Sequence, residues 1–142
     1  MRTALVWILV CGVALSAQSA RTFKARLAPV PIDVAMQATV AGTGSVTASL
    51  AGTKLTLTGT FEGLKSPATI AKIHKSPTRG VRGPEILDLT VSTAPSGTIS
   101  GELQLTAQQV TDLQRGLLYV QLHSEKAPEG NLWGWLLAEK KP

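Results

Sequence analysis

The sequence predicts an all-β domain, an antiparallel β-sandwich with one short connecting helix. Three observations carry that expectation. Apolar residues recur with a period of two along most of the chain, which is the spacing of a strand with one wet face. Gly, Pro and Ser clusters interrupt this pattern at intervals of roughly 8 to 12 residues. Only one segment shows helical start and stop signals.

Taken in order, RTFKARL (21–27) alternates Phe23, Ala25 and Leu27 with Lys24 and Arg26, and Pro29 and Pro31 stop it. SVTASL (45–50) sets Val46, Ala48 and Leu50 against Ser45, Thr47 and Ser49. After a reversal at 51–53, KLTLTGTF aligns Leu55, Leu57, Gly59 and Phe61 against threonines, whose β-branching suits a wet sheet face. ATIAKIH and EILDLTV follow, separated by a loop rich in Pro, Gly and Arg, with Ala71, Ile73, Leu87, Leu89 and Val91 as core positions. TISGELQL adds Ile99, Leu103 and Leu105. The helix is 106–115: Thr106 can cap it, Gln109 completes a capping box, Val110 and Leu113 share a face, and Gly116 ends it.

The densest apolar stretch is GLLYVQLHSEKAPEGNLWGWLL, residues 116–137. Leu118, Val120 and Leu122 alternate with Tyr119, Gln121 and His123; Pro128 and Gly130 mark 124–130 as a loop, and a second strand carries Leu132, Gly134 and Leu136 against Trp133 and Trp135. The alternation leaves open whether the leucines or the tryptophans of this last strand lie inside.

At 142 residues and 44% hydrophobic content, the chain suits one domain. Residues 1–20 combine Arg2, an apolar run and small residues at Ser16, Ala17, Ser19 and Ala20, the layout of a secretory signal peptide cleaved near Ser19 or Ala20. The domain is then 21–142, secreted or periplasmic, with no transmembrane segment. Cys11 leaves with the signal peptide, so packing alone must hold the mature chain, which suits a bacterial export route. Without Arg2, 13 basic residues face 9 acidic ones. That excess is modest, and with few aromatics and no arginine-rich helix it does not indicate a nucleic-acid partner.

Four stretches in this order, FKARLAPVP, TGTFEGLKSPATIAKIH, RGVRGPEILDL and GLLYVQLHSEKAPEGNLWGWL, together resemble the CHRD (chordin) domain family, found in chordin and in bacterial exported proteins. The resemblance covers nearly all of the mature chain. It implies an immunoglobulin-like β-sandwich with an extracytoplasmic binding or structural role; the growth-factor antagonism associated with chordin does not carry over. The chain departs from the family at Lys72, where a His-x-His pair is frequent, and at Trp133, where arginine is common. A weaker likeness to the copper-zinc superoxide dismutase sandwich rests on His74 and His123 ending their strands.

Those two histidines are the candidate metal ligands, copper or zinc being the alternative to no cofactor at all. Structural roles are the simpler reading, since a stable site usually needs three or four ligands and the Lys72 ammonium would repel a cation. Both histidines finish a strand before a Pro/Gly loop, so a shared rim would bring them together. Lys75, Arg79 and Arg82, with Trp133 and Trp135, are the expected partner surface, reaching an unknown protein or envelope component. No paired carboxylates in an apolar setting and no nucleophile elbow occur, so no catalytic residue is assigned and the expectation is a non-enzymatic module.

Overall fold

The computed structural model describes residues 20–140. The reading of residues 1–20 as a signal peptide, Cys11 included, lies outside them except for Ala20. Among these residues nine strands form: β1 (Arg21–Pro29), β2 (Thr43–Ala51), β3 (Lys54–Glu62), β4 (Ala68–Lys75), β5 (Glu85–Val91), β6 (Gly97–Gln104), β7 (Leu118–Ser124), β8 (Ala127–Trp135) and the two-residue β9 (Leu137–Ala138). One helix, α1 (Ala107–Gln114), joins β6 to β7, and a 3-10 turn covers Ala35–Ala38 in the segment whose pattern is ambiguous. Thr106 and Gln109 form the reciprocal capping box, and Gly116 follows the helix at φ +72°.

The sheet is closed, which corrects the sandwich expectation. Its order is β2-β3-β6-β5-β4-β7-β8-β1, with β1 pairing back onto β2 and every pair antiparallel. The eight long strands therefore make a barrel. Two strands turn its corners: β1 pairs with β2 through Arg21–Leu27 and then with β8 at Ala28 and Pro29, while β5 pairs with β4 as far as Leu89 and with β6 only at Thr90 and Val91. Gly134 lets β1 cross β8, because a Cβ there would run into the Arg26 carbonyl oxygen. Alternation along each strand is the same in a sandwich and a barrel, so the sequence pattern could not separate them.

The alternating residues do line the core. Phe23, Leu27, Leu55, Leu57, Ile73, Leu118, Val120, Leu122, Leu132 and Leu136 are all fully buried, and Leu113 of α1 joins them at one end of the barrel. The β2–β3 hairpin turns at Gly52 (φ +62°) and Thr53, as the sequence indicates. The final hairpin is tighter than expected: Ser124 pairs with Ala127, so the turn is Glu125–Lys126, and Pro128 and Gly130 sit within β8 rather than in a loop. Their irregular backbone is absorbed by a register shift between Leu122 and Ser124 and by Gly130 at φ +131°. Leu132 of β8 and Leu136 just after it face inward, and the two tryptophans of β8 stand outside the wall, half-buried.

Candidate functional site: an aromatic and imidazole face

Strand pairing lays two rows of side chains across the outer face of β5, β4, β7 and β8. One row is Glu85, His74, Tyr119 and Trp135; the next is Asp88, Lys72, Gln121 and Trp133. Both rows use the polar-side positions of their strands, which is why neighbouring rows stand two residues apart. Much of this face is nevertheless dry. Tyr119 is 1% exposed, Gln121 3% and His74 8%, with Gly83 of the 76–84 loop lying against Tyr119 and His74, and Glu129 and Gly130 of β8 against Gln121.

Hydrogen bonds fasten that loop. The Gly83 N–H donates to the Tyr119 hydroxyl at 2.9 Å, and the Gly83 carbonyl accepts from the same hydroxyl at 3.2 Å and from His74 Nδ1 at 2.9 Å. Lys75 N–H reaches the Pro84 carbonyl, and Ser76 Oγ, fully buried, donates within the loop to the Thr78 and Val81 carbonyls. Gly83 itself is fixed by space: a Cβ there would meet the Lys75 carbonyl.

Three rings pack around Tyr119. His74 stacks on it at 4.9 Å between centroids, Trp135 lies tilted at 4.8 Å and Trp133 meets it edge-on at 5.7 Å, while the two tryptophans form a T-shaped pair at 4.7 Å. The Arg82 guanidinium lies 5.5 Å over the Trp133 ring and donates to the Glu129 carbonyl at 3.3 Å.

His74 and His123 approach to 6.5 Å between ring centroids, close to the expected proximity, but for a different reason. Their strands are antiparallel neighbours, with Lys75 opposite Leu118 and Ala68 opposite Ser124, so the two histidines sit toward opposite ends of the β4–β7 ladder. The shared-rim expectation is thus wrong; the rings meet by reaching toward each other along the face. A backbone carbonyl holds each Nδ1: Gly83 for His74, and Pro128 at 2.8 Å for His123. A carbonyl can only accept, so each Nδ1 carries a proton, and in the neutral form of such a ring the lone pair lies on Nε2. His123 Nε2 accepts from Gln121 Nε2 at 3.2 Å, whereas His74 Nε2 is buried without a protein partner. Burial of its ring pushes the His123 pKa down; the Pro128 hydrogen bond opposes this, and His74 and Lys72 add to the lowering.

The Lys72 ammonium is drawn toward β5, 2.9 Å from Glu85 and 3.4 Å from Asp88, and hydrogen bonding to Glu85 raises its pKa first among several causes. Among the described residues no group of three or more His, Cys, Asp or Glu side chains is arranged to hold a metal ion.

The family model for the CHRD domain matches residues 23–136. The chain belongs to the CHRD domain family. No curated protein and no solved structure matches it. Within the CHRD domain, the expected partner residues separate. Arg82, Trp133 and Trp135 come together, and Arg79 is exposed with its guanidinium beside Gly116. Lys75 is otherwise engaged, 2.9 Å from the buried Asp112 carboxylate of α1. Sequence reading did not single out Tyr119, Gln121, Gly83 or Asp112. Tyr119 and Gln121 stood on the same strand face as His123, and that shared period was the available signal; what they meet is decided by pairing to distant strands.

Proposed function

We propose that this CHRD domain is an exported, non-enzymatic binding module whose contact surface is the Arg79–Arg82 loop together with Trp133 and Trp135. The observation that carries the reading is the placement of both tryptophans outside the barrel wall, half-buried, with an arginine stacked over one of them. Rigid aromatic and guanidinium groups side by side are the residue types that dominate binding energy at interfaces. The partner is an acidic protein or envelope component, whose carboxylates meet Arg79 and Arg82 while an apolar group covers the indoles. The sequence layout of residues 1–20 supports export. No helix among the described residues is long and apolar enough to cross a membrane.

The purified domain, immobilised and exposed to native envelope extract, should retain a partner that an R79E/R82E variant and a Trp133→Ala variant both lose. Equal retention by all three proteins overturns the reading.

A second reading, a copper or zinc site at His74 and His123, is favoured by one observation: both Nδ1 atoms are tied to carbonyls, so both Nε2 atoms are the acceptors of neighbouring rings, that of His74 without a protein partner and that of His123 accepting from Gln121. Metal analysis of purified protein distinguishes the readings, since stoichiometric copper or zinc supports the second and its absence after metal loading removes it.

A further inference from the structure

The barrel is closed unevenly. β3 pairs with β6 over eight residue pairs from Lys54 to Phe61, but β5 and β6 share only Thr90–Ser100 and Val91–Ile99. Ser92 N–H to the Thr98 carbonyl extends this contact toward one end of the barrel. Toward the α1 end the strands part, and neither Glu85–Leu89 of β5 nor Gly101–Gln104 of β6 has a ladder partner on the side facing the other. In a strand, alternate residues direct N–H and C=O to each side, so this seam presents backbone donors and acceptors with no sheet partner.

Such an edge is ordinarily blunted by lysine or proline. EILDL and GELQ contain neither. The seam instead carries half-buried apolar side chains, Leu87 and Leu89 from β5 and Leu103 from β6, and Leu89 leans into the space that the missing Gly101 side chain leaves open.

Acidic groups flank it. Glu85 and Asp88 on β5 and Glu102 on β6 have side chains 60%, 86% and 70% exposed. Lys72 serves both β5 carboxylates, so one positive charge faces two negative ones, and Lys54 stands 3.9 Å from Glu102, a solvated pair of little strength. In a chain of net charge +5 this is a local reversal of sign. It disfavours a second copy of the same edge, which would set Glu85 and Asp88 against their own kind.

We infer that the β5–β6 seam is a docking site for an extended peptide segment of alternating apolar and basic residues, which adds as a strand along β5. Main-chain hydrogen bonds supply the pairing, the half-exposed leucines take the apolar side chains, and Glu85, Asp88 and Glu102 meet the basic ones. The seam lies at the β5 end of the two rows that carry Trp135 and Trp133, and the backbone pairing proposed along it uses neither tryptophan.

The test uses isotope-labelled protein and two short synthetic peptides, one alternating lysine and valine and one alternating glutamate and valine. Expected is binding of the lysine peptide at least about tenfold tighter than the glutamate peptide, with amide shifts concentrated at 85–89 and 101–104. An E85K/D88K variant should reverse that preference; should it fail to fold, Glu102→Lys should narrow the ratio. Equal binding of both peptides, shifts centred elsewhere or no binding overturns the inference, and concentration-dependent dimerisation through these same amides assigns the edge to a second copy instead.

Discussion

The Lys75 ammonium lies 2.9 Å from the carboxylate of Asp112, which is 2% exposed, and this pair pins α1 to the end of β4. Gln108 donates to the other carboxylate oxygen at 3.1 Å, and the Leu117 N–H to the Asp112 carbonyl. Lys75→Met would leave a buried carboxylate short of its counter-charge. A destabilisation of about 2 kcal/mol is expected in urea unfolding, with partner retention unchanged in the folded variant. A loss of partner at full stability would return Lys75 to the contact surface.

Trp133 and Trp135 lie outside the wall, so truncating either should cost about 1–2 kcal/mol from lost ring packing on Tyr119 and leave the barrel folded. Leu132→Ala on the same strand removes a fully buried side chain and should cost about 2–5 kcal/mol. Thermal melts of the three variants check the order; unfolding of both tryptophan variants would make these rings part of the core.

The Tyr119 hydroxyl both accepts from and donates to Gly83. Tyr119→Phe removes both bonds while keeping the ring stack, and about 1–2 kcal/mol should be lost, chiefly by loosening the 76–84 loop. Hydrogen exchange at the Gly83 amide should accelerate well beyond that of the buried β7 amides. An unchanged Gly83 rate would show that other bonds hold the loop.

His123 is held below the ordinary histidine range, first by burial. The folded state then takes up its proton later than the unfolded chain does, so this group's contribution is complete above about pH 6.5 and is lost as the pH falls through the depressed folded value. Stability should therefore decline between about pH 7 and pH 5, and His123→Gln should make that decline shallower. Melting temperatures across this range decide it, and a parallel decline in the variant would place the titration elsewhere.

Lys72 holds the position next to His74 on the outer face of β4 and brings a positive charge toward His123. Replacing it with histidine removes that charge and adds a third imidazole, so Lys72→His should raise copper or zinc affinity by tenfold or more in a direct titration, on the order of 1.4 kcal/mol. No change would show that the two existing rings do not form half of a metal site.

The alternation of Leu118, Val120 and Leu122 with Tyr119, Gln121 and His123 reads directly from the chain, and so does the Thr106–Gln109 capping box, because each depends on neighbours a few residues apart. The placement of Pro128 and Gly130 within β8 was not legible, since residues that usually break strands are tolerated where a bulge relieves the register. The dryness of Tyr119 and Gln121 also escaped the pattern: a polar-side position becomes buried only when residues from elsewhere in the chain cover it, Gly83 for Tyr119 and Glu129 and Gly130 of β8 for Gln121.

By itself the sequence determined most of the strands, the alternation within each, the capped helix and the family likeness, all local or order-dependent properties. Only the tertiary structure decided that β1 closes onto both β2 and β8 to make a barrel, that the tryptophans stand outside, that Lys75 belongs to Asp112, and that His74 reaches His123 along a face and not at a rim. The reason is physical. A period of two fixes which side of a strand is apolar, but which strand lies beside it, and in what register, is set by hydrogen-bonded pairing between residues far apart in the chain.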